Sequence, residues 1–200
     1  YGYGKTTKEV AKKYPEIQFC QATGDNANQN PIVSNYHTYM GAVYQGRYIA
    51  GIVAGMKLQE MISEGKITPQ DAKIGYVGAY AYAEVISGYT SFYLGVRSVV
   101  PEAVMTVKYT NTWSSYSTEK QAAKELVDED CVVISQHSDT VGPAAICENA
   151  QRDIPVYHVG YNQSMTDIAP TRSLVSCCVD YSSYFEQSVY ALSLIHISEP

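Results

Sequence analysis

The chain has 200 residues, 46% of them hydrophobic, enough to bury a core in one or two domains and too many for a disordered segment. With 14 Lys+Arg against 20 Asp+Glu the net charge is -6, and neither end carries a basic cluster, so nucleic acid is not an expected partner. No apolar run approaches the ~18 residues of a membrane span.

Strand-like and helix-like stretches alternate along the chain. A helix over Thr7 to Lys13 leads to a strand over Gln18 to Ala22, then to the loop "TGDNANQNPIVSN", whose Gly, Asn and Pro content bars a regular element. A long helix is expected from Tyr36 to Glu64, with Gly46, Gly51, Gly55, Ala50 and Ala54 at helical spacings. They form a smooth face expected to press on a sheet.

Further strands are expected at Lys73 to Ala79, Ala103 to Tyr109, Cys131 to Ser135, Pro155 to Val159 and Leu174 to Val179. Helices are expected at Ala83 to Val99, Ser117 to Val127, Val141 to Ala150 and Tyr181 to about Ala191. Such alternation predicts an α/β fold of βαβ units with mainly parallel sheets. In these sheets ligands sit beyond the carboxyl ends of the strands.

The strand tips read "TGDN", "YAYAE", "TNTWSS", "QHSD" and "GYNQS", and are polar and aromatic. Trp113, the only Trp, lies in a loop, either as a stacking platform for a planar ligand or as a lid residue packed on its own lobe. His137, Ser138 and Asp139 invite a catalytic reading. Consecutive residues of an extended backbone point to opposite faces, however, so they cannot form a relay among themselves. There is no G-x-S-x-G elbow, GxGxxG or Walker A run, so neither an enzyme nor a nucleotide cofactor is expected. Asp139 and Asn162 suit the hydroxyls of a sugar or nucleoside, although Asp139 could equally cap the following helix.

Cys20, Cys131, Cys147, Cys177 and Cys178 show no CxxC and no zinc-ligand spacing. No metal site is expected. Cys20, Cys131, Cys177 and Cys178 sit in apolar runs and are expected to be buried thiols.

Longer segments carry a resemblance: "NYHTYMGAVYQGRYIAGIVAG" (Asn35 to Gly55), "KIGYVGAYAYAEVISGYTSFYLGVRSVVPEA" (Lys73 to Ala103), "NTWSSYSTEKQAAKEL" (Asn111 to Leu126), "ISQHSDTVGPA" and "VGYNQSM". In their order and spacing they resemble the basic-membrane-protein (Bmp/PnrA-like) family of substrate-binding lipoproteins of ABC importers. The resemblance implies a type I periplasmic-binding-protein fold, with two Rossmann-like lobes that close on a small solute. Residues 1–32 would end a first, incomplete lobe, 33–170 would form the second, and 171–191 would return to the first. The stretch 192–200 resembles translated adapter sequence and is expected to be non-native, so His196 receives no role.

The family binds purine nucleosides through a stacking aromatic and carboxylates on the ribose. By position this implies Trp113, His137, Asp139, Gly160 and Asn162 as ligand-binding residues, with Asp25 from the first lobe and Asn35 from the start of the second. The family's Gly-x-Asp-x-Asp reads Gly160, Tyr161, Asn162, Gln163, Ser164 here, so both carboxylates are replaced. The resemblance also implies a permease partner, an N-terminal lipid anchor upstream of residue 1 and an extracytoplasmic location. A ligand-sensing receptor domain and an enzyme acting on a nucleoside or sugar are the alternatives.

Overall fold

A computed structural model describes residues 2–197, and their side chains up to residue 194. The chain forms two compact units, 1–42 with 181–200 and 43–180.

In the smaller unit, helix α1 (Gly4–Ala11) precedes strands β1 (Phe19–Ala22) and β2 (Tyr36–Tyr39), which pair in parallel. Helix α6 (Ser182–Ile197) belongs to the same unit and runs into the stretch expected to be non-native; residues 198–200 lie outside the described residues. The polar loop after β1 has no regular element, yet it is tied down. The Lys8 ammonium donates to the carbonyls of Asn26 (2.8 Å) and Gln29 (2.6 Å), and the Tyr36 hydroxyl to Asn26 Oδ1. On the other side of β2, Tyr39 stacks on Tyr184 of α6 with ring centroids 3.7 Å apart.

The larger unit begins with helix α2 (Val43–Ser63) and continues through strand β3 (Lys73–Gly78), helix α3 (Ala83–Arg97), strand β4 (Val104–Tyr109) and helix α4 (Tyr116–Asp128). Strand β5 (Val133–His137), helix α5 (Gly142–Glu148), strand β6 (Tyr157–Tyr161) and strand β7 (Ser173–Cys177) complete it. Its five-stranded sheet has the order β4-β3-β5-β6-β7, and every neighbouring pair is parallel. Parallel strands connected through helices are buried on both faces, which explains the near-continuous apolar runs Ile74 to Ala79 and Cys131 to Ile134.

Four expectations need correction. The long helix does not start at Tyr36: the β-branched and aromatic Tyr36–Tyr39 stretch pairs with β1, and helix begins only at Val43. Nor does the chain leave the larger unit near residue 170, because β7 forms its fifth strand and the passage falls at 180/181. The smooth face of α2 meets mainly a helix. A Cβ at Gly51 would collide with the Phe92 carbonyl of α3, and one at Gly95 with the Tyr48 carbonyl of α2; only Gly46 rests on the sheet, against Cys177. Small residues on both helices allow that close backbone approach. Finally, Cys131 and Cys147 are buried, but Cys177 is half-buried, and Cys20, within β1 of the two-stranded sheet, and Cys178, just after β7, are exposed.

Candidate functional site

The carboxyl ends of the larger unit's strands bring Tyr80, Tyr82, Trp113, His137 and Tyr161 into one run of rings. Tyr80 stacks on Tyr82 at 4.9 Å, and Trp113 stands 6.1 Å from Tyr80 and 6.5 Å from Tyr82. The Trp113 ring meets His137 edge-on at 6.2 Å, and His137 packs on Tyr161 at 4.3 Å. Separate crossovers therefore deliver these rings to one end of the sheet, as parallel topology requires.

His137 is the last residue of β5 and is fully buried. Its Nδ1 faces the Tyr76 hydroxyl at 3.3 Å and its Nε2 the Glu84 carboxylate at 3.6 Å. Burial holds its pKa below the usual histidine range against the opposing pull of Glu84, so the ring is neutral near pH 7. Gly88 makes room for it, since a Cβ there would stand 2.7 Å from Nδ1.

The loop after β5 is latched from below by Glu119, itself fully buried on α4. One carboxylate oxygen accepts the Ser115 N–H (3.1 Å); the other accepts the Ser138 hydroxyl (2.8 Å) and the Thr140 N–H (3.1 Å). The Asp139 N–H donates to the Trp113 carbonyl at 2.8 Å, which joins the loop after β5 to the loop after β4. The Asp139 side chain is exposed. Partial burial, then the neighbouring Glu119, raises its pKa above the usual carboxylate range. It does not cap α5, whose N-cap is Val141 with no side-chain cap.

Beneath these tips Gln136 donates to the carbonyls of Ser138 (2.8 Å) and Thr140 (2.7 Å), leaving its Oε1 to accept from His158 Nε2 at 3.0 Å. His158 therefore carries its proton on Nε2. Burial, followed by the nearby Arg47 charge, pushes its pKa down to about 3.

Among the sequence candidates, Trp113, His137, Asp139, Gly160 and Asn162 come together at this end of the sheet. Gly160 contributes only backbone: a Cβ there would strike Ser176 Oγ, and its carbonyl accepts from Arg47. Asn162 holds a left-handed backbone at φ 58 and exposes its side chain. Asp25 and Asn35 belong to the smaller unit. Asp25 is exposed on the loop after β1, whereas Asn35 is buried and its amide donates to the carbonyls of Ala11, Tyr14 and Ile17. Those bonds consume both of its amide hydrogens, so Asn35 holds α1 to β1 and has no donor left for a solute.

Sequence reasoning did not select Tyr80, Tyr82, Tyr161, Glu119 or Arg47. For Arg47 a signal existed: it shares the 3.6-residue stripe of Ala50, Ala54, Leu58 and Met61, all buried, so its side chain had to point inward. His137, Ser138 and Asp139 form no relay, since each bonds to a different partner. Among the described residues no cluster of His, Cys, Asp and Glu could hold a metal ion.

Residues 1–191 match the family described as ABC transporter substrate-binding protein PnrA-like, or Bmp. The chain belongs to this family. It is similar to a putative ABC transporter glucose-binding protein of Haloferax volcanii, 33% identical over 96% of the chain and 44% of that protein. It also resembles a purine-binding protein of Brucella abortus, 31% identical over 92% of the chain and 47% of that protein. The chain thus spans just under half the length of the curated relatives it matches. Among solved structures, an ABC solute-binding protein of Aeropyrum pernix superposes with a TM-score of 0.71 at 17% identity, covering 87% of the chain and 47% of that protein. One from Conexibacter woesei gives 0.52 at 20% identity, covering 78% and 47%. At such identities the likeness concerns the fold: this Bmp-family chain has the α/β parallel-sheet architecture of periplasmic solute-binding proteins.

Proposed function

We propose that the protein is the solute-binding component of an ABC importer and that the strand tips of its larger unit form one wall of the solute site. The observation that carries this reading is the run of rings from Tyr82 through Trp113 to Tyr161, with a single exposed carboxylate, Asp139, and an exposed amide, Asn162, beside it. Stacked rings favour a planar or ring-shaped solute, and sparse charge favours an uncharged one. A purine nucleoside is the first choice, with Trp113 against the base and Asp139 and Asn162 at the hydroxyls.

A hexose is the second reading. It is favoured by Asn162 and Ser164, which stand where carboxylates would hold a ribose more strongly. In either case the protein binds without turnover and hands the solute to a permease, from an extracytoplasmic, lipid-anchored position.

The test is calorimetric titration with adenosine, guanosine, inosine and D-glucose, repeated on Trp113→Ala. Nucleoside binding weakened at least tenfold by the substitution supports the first choice, and glucose binding alone supports the second. Conversion of a bound solute to product would overturn the importer reading.

A further inference from the structure

We infer that Arg47 is the positioning residue of the solute-binding wall: its guanidinium staples the ends of β5 and β6 where their own hydrogen-bonded ladder has stopped. Pairing between these strands runs Val133 with Tyr157, Ile134 with His158 and Ser135 with Val159, and goes no further. The residues that matter to the wall, His137 and Tyr161, stand beyond the last of these pairs.

Arg47 fills the gap. Its Nη2 donates to the Gln136 carbonyl at 2.6 Å, and its Nη1 to the Gly160 carbonyl at 3.3 Å and to Ser135 Oγ at 3.4 Å. The Ser135 hydroxyl in turn donates to the Val159 carbonyl at 3.2 Å, so the last ladder pair and the first unpaired residues are bound to one planar group. The guanidinium carbon also lies 4.8 Å from the Tyr161 ring centre and 5.7 Å from that of Tyr76, within cation–π range. Both of these rings also touch His137, Tyr161 through the 4.3 Å ring contact and Tyr76 through the 3.3 Å hydroxyl contact.

The energetics argue for position as the reason for this arginine. Arg47 is fully buried, its Nε has no hydrogen-bond partner, and it enters no ion pair among the described residues. A buried cation without a carboxylate is expensive, and what offsets it here is the set of strand-end acceptors it satisfies. A lysine could not reproduce the fork that reaches two strand ends and packs flat on a ring. What only an arginine supplies here is a fixed spacing between two strand ends that no backbone bond joins.

This inference rests on the solute-binding reading, and its test separates the two. In the ligand-free protein, the imidazole proton resonances of His137, assigned with His137→Gln, report the stacking of Tyr161 by their ring-current displacement. In Arg47→Met that displacement is lost and in Arg47→Lys it is reduced, read at a temperature where both variants are folded; Arg47→Met also melts lower, because the Gln136 and Gly160 carbonyls lose their donor. In calorimetric titration, adenosine or D-glucose, whichever the parent binds, binds Arg47→Met at least tenfold more weakly, with Arg47→Lys between the two. An unchanged His137 resonance in Arg47→Met overturns the staple. A displaced resonance with unchanged affinity overturns its role in binding. If the parent binds neither probe, the solute reading fails, and the resonance still decides whether Arg47 sets the geometry.

Discussion

At the amino end of the larger unit's sheet the buried residues are Ala72, Ile74, Val100, Ala103, Val132 and Val133, all apolar and packed on Leu58 and Met61 of α2. At the carboxyl end, residues buried just as completely are Arg47, Glu119, Ser135, Gln136 and His137, and His158, near the start of β6, is tied to them through Gln136. One sheet therefore has a greasy base and a polar top. Apolar burial is non-directional and tolerates small shifts of neighbours. Buried hydrogen bonds lose most of their value when geometry drifts, and each unpaired group costs about 1 to 3 kcal/mol. The base thus supplies stability, while the top uses some of it to hold rings and loops at set positions.

Substitutions should separate the two ends. Glu119→Ala leaves the buried Ser138 hydroxyl and the half-buried Ser115 and Thr140 amides without their acceptor and should cost about 2 kcal/mol, read as a lower denaturation midpoint in urea. It should also free the loops carrying Trp113 and Asp139, visible as a red shift of emission from the only Trp. An unchanged midpoint would show that these loops stand without their latch.

Acid should attack the same end. His158 has a folded pKa of about 3 against about 6.5 when unfolded, so between these values the unfolded chain binds a proton that the native one refuses. Stability therefore rises with pH through this window and is complete above it. Between pH 6.5 and 5 the loss should be about 2 kcal/mol, with His137, whose pKa is also held down by burial, adding in the same direction. Urea midpoints from pH 5 to 8 check the sign, and a flat profile would contradict the neutral, buried histidines.

Gly88→Ala should cost about 1 to 2 kcal/mol by overpacking, because the new methyl meets the His137 ring, which has no space to retreat. Its effect on solute affinity should exceed its effect on melting temperature. Lys124→Ala removes an exposed pair with Asp128 at the opposite extreme of the scale and should change stability by less than ~0.5 kcal/mol. Equal effects from the last two would erase the distinction between the polar top and the solvated surface.

The alternation of strands and helices, and hence the parallel sheet, was legible in residues such as Lys73 to Gly78 and Cys131 to Ile134, because burial on both faces leaves continuous apolar runs. The polar tips were legible for the same reason, as abrupt ends to those runs at Gln136 and Asn162. Tyr36 to Tyr39 misled because a four-residue stretch without helix breakers reads equally as the first turn of the helix that follows, and pairing with β1 decided for strand. Asn35 misled because its amide can serve a solute or a backbone, and only the neighbours decide which.

From residue order alone came the element types, the α/β class and the end of the sheet at which to look, since these follow from local periodicity and from the handedness of βαβ connections. Tertiary structure alone decided that the β5–β6 ladder ends at Ser135 and Val159, that Arg47 spans the ends left over, and that Glu119 reaches two loops. Those facts depend on strand register and on the close crossing of α2 and α3 at Gly51 and Gly95, which are set by packing between residues far apart in the chain.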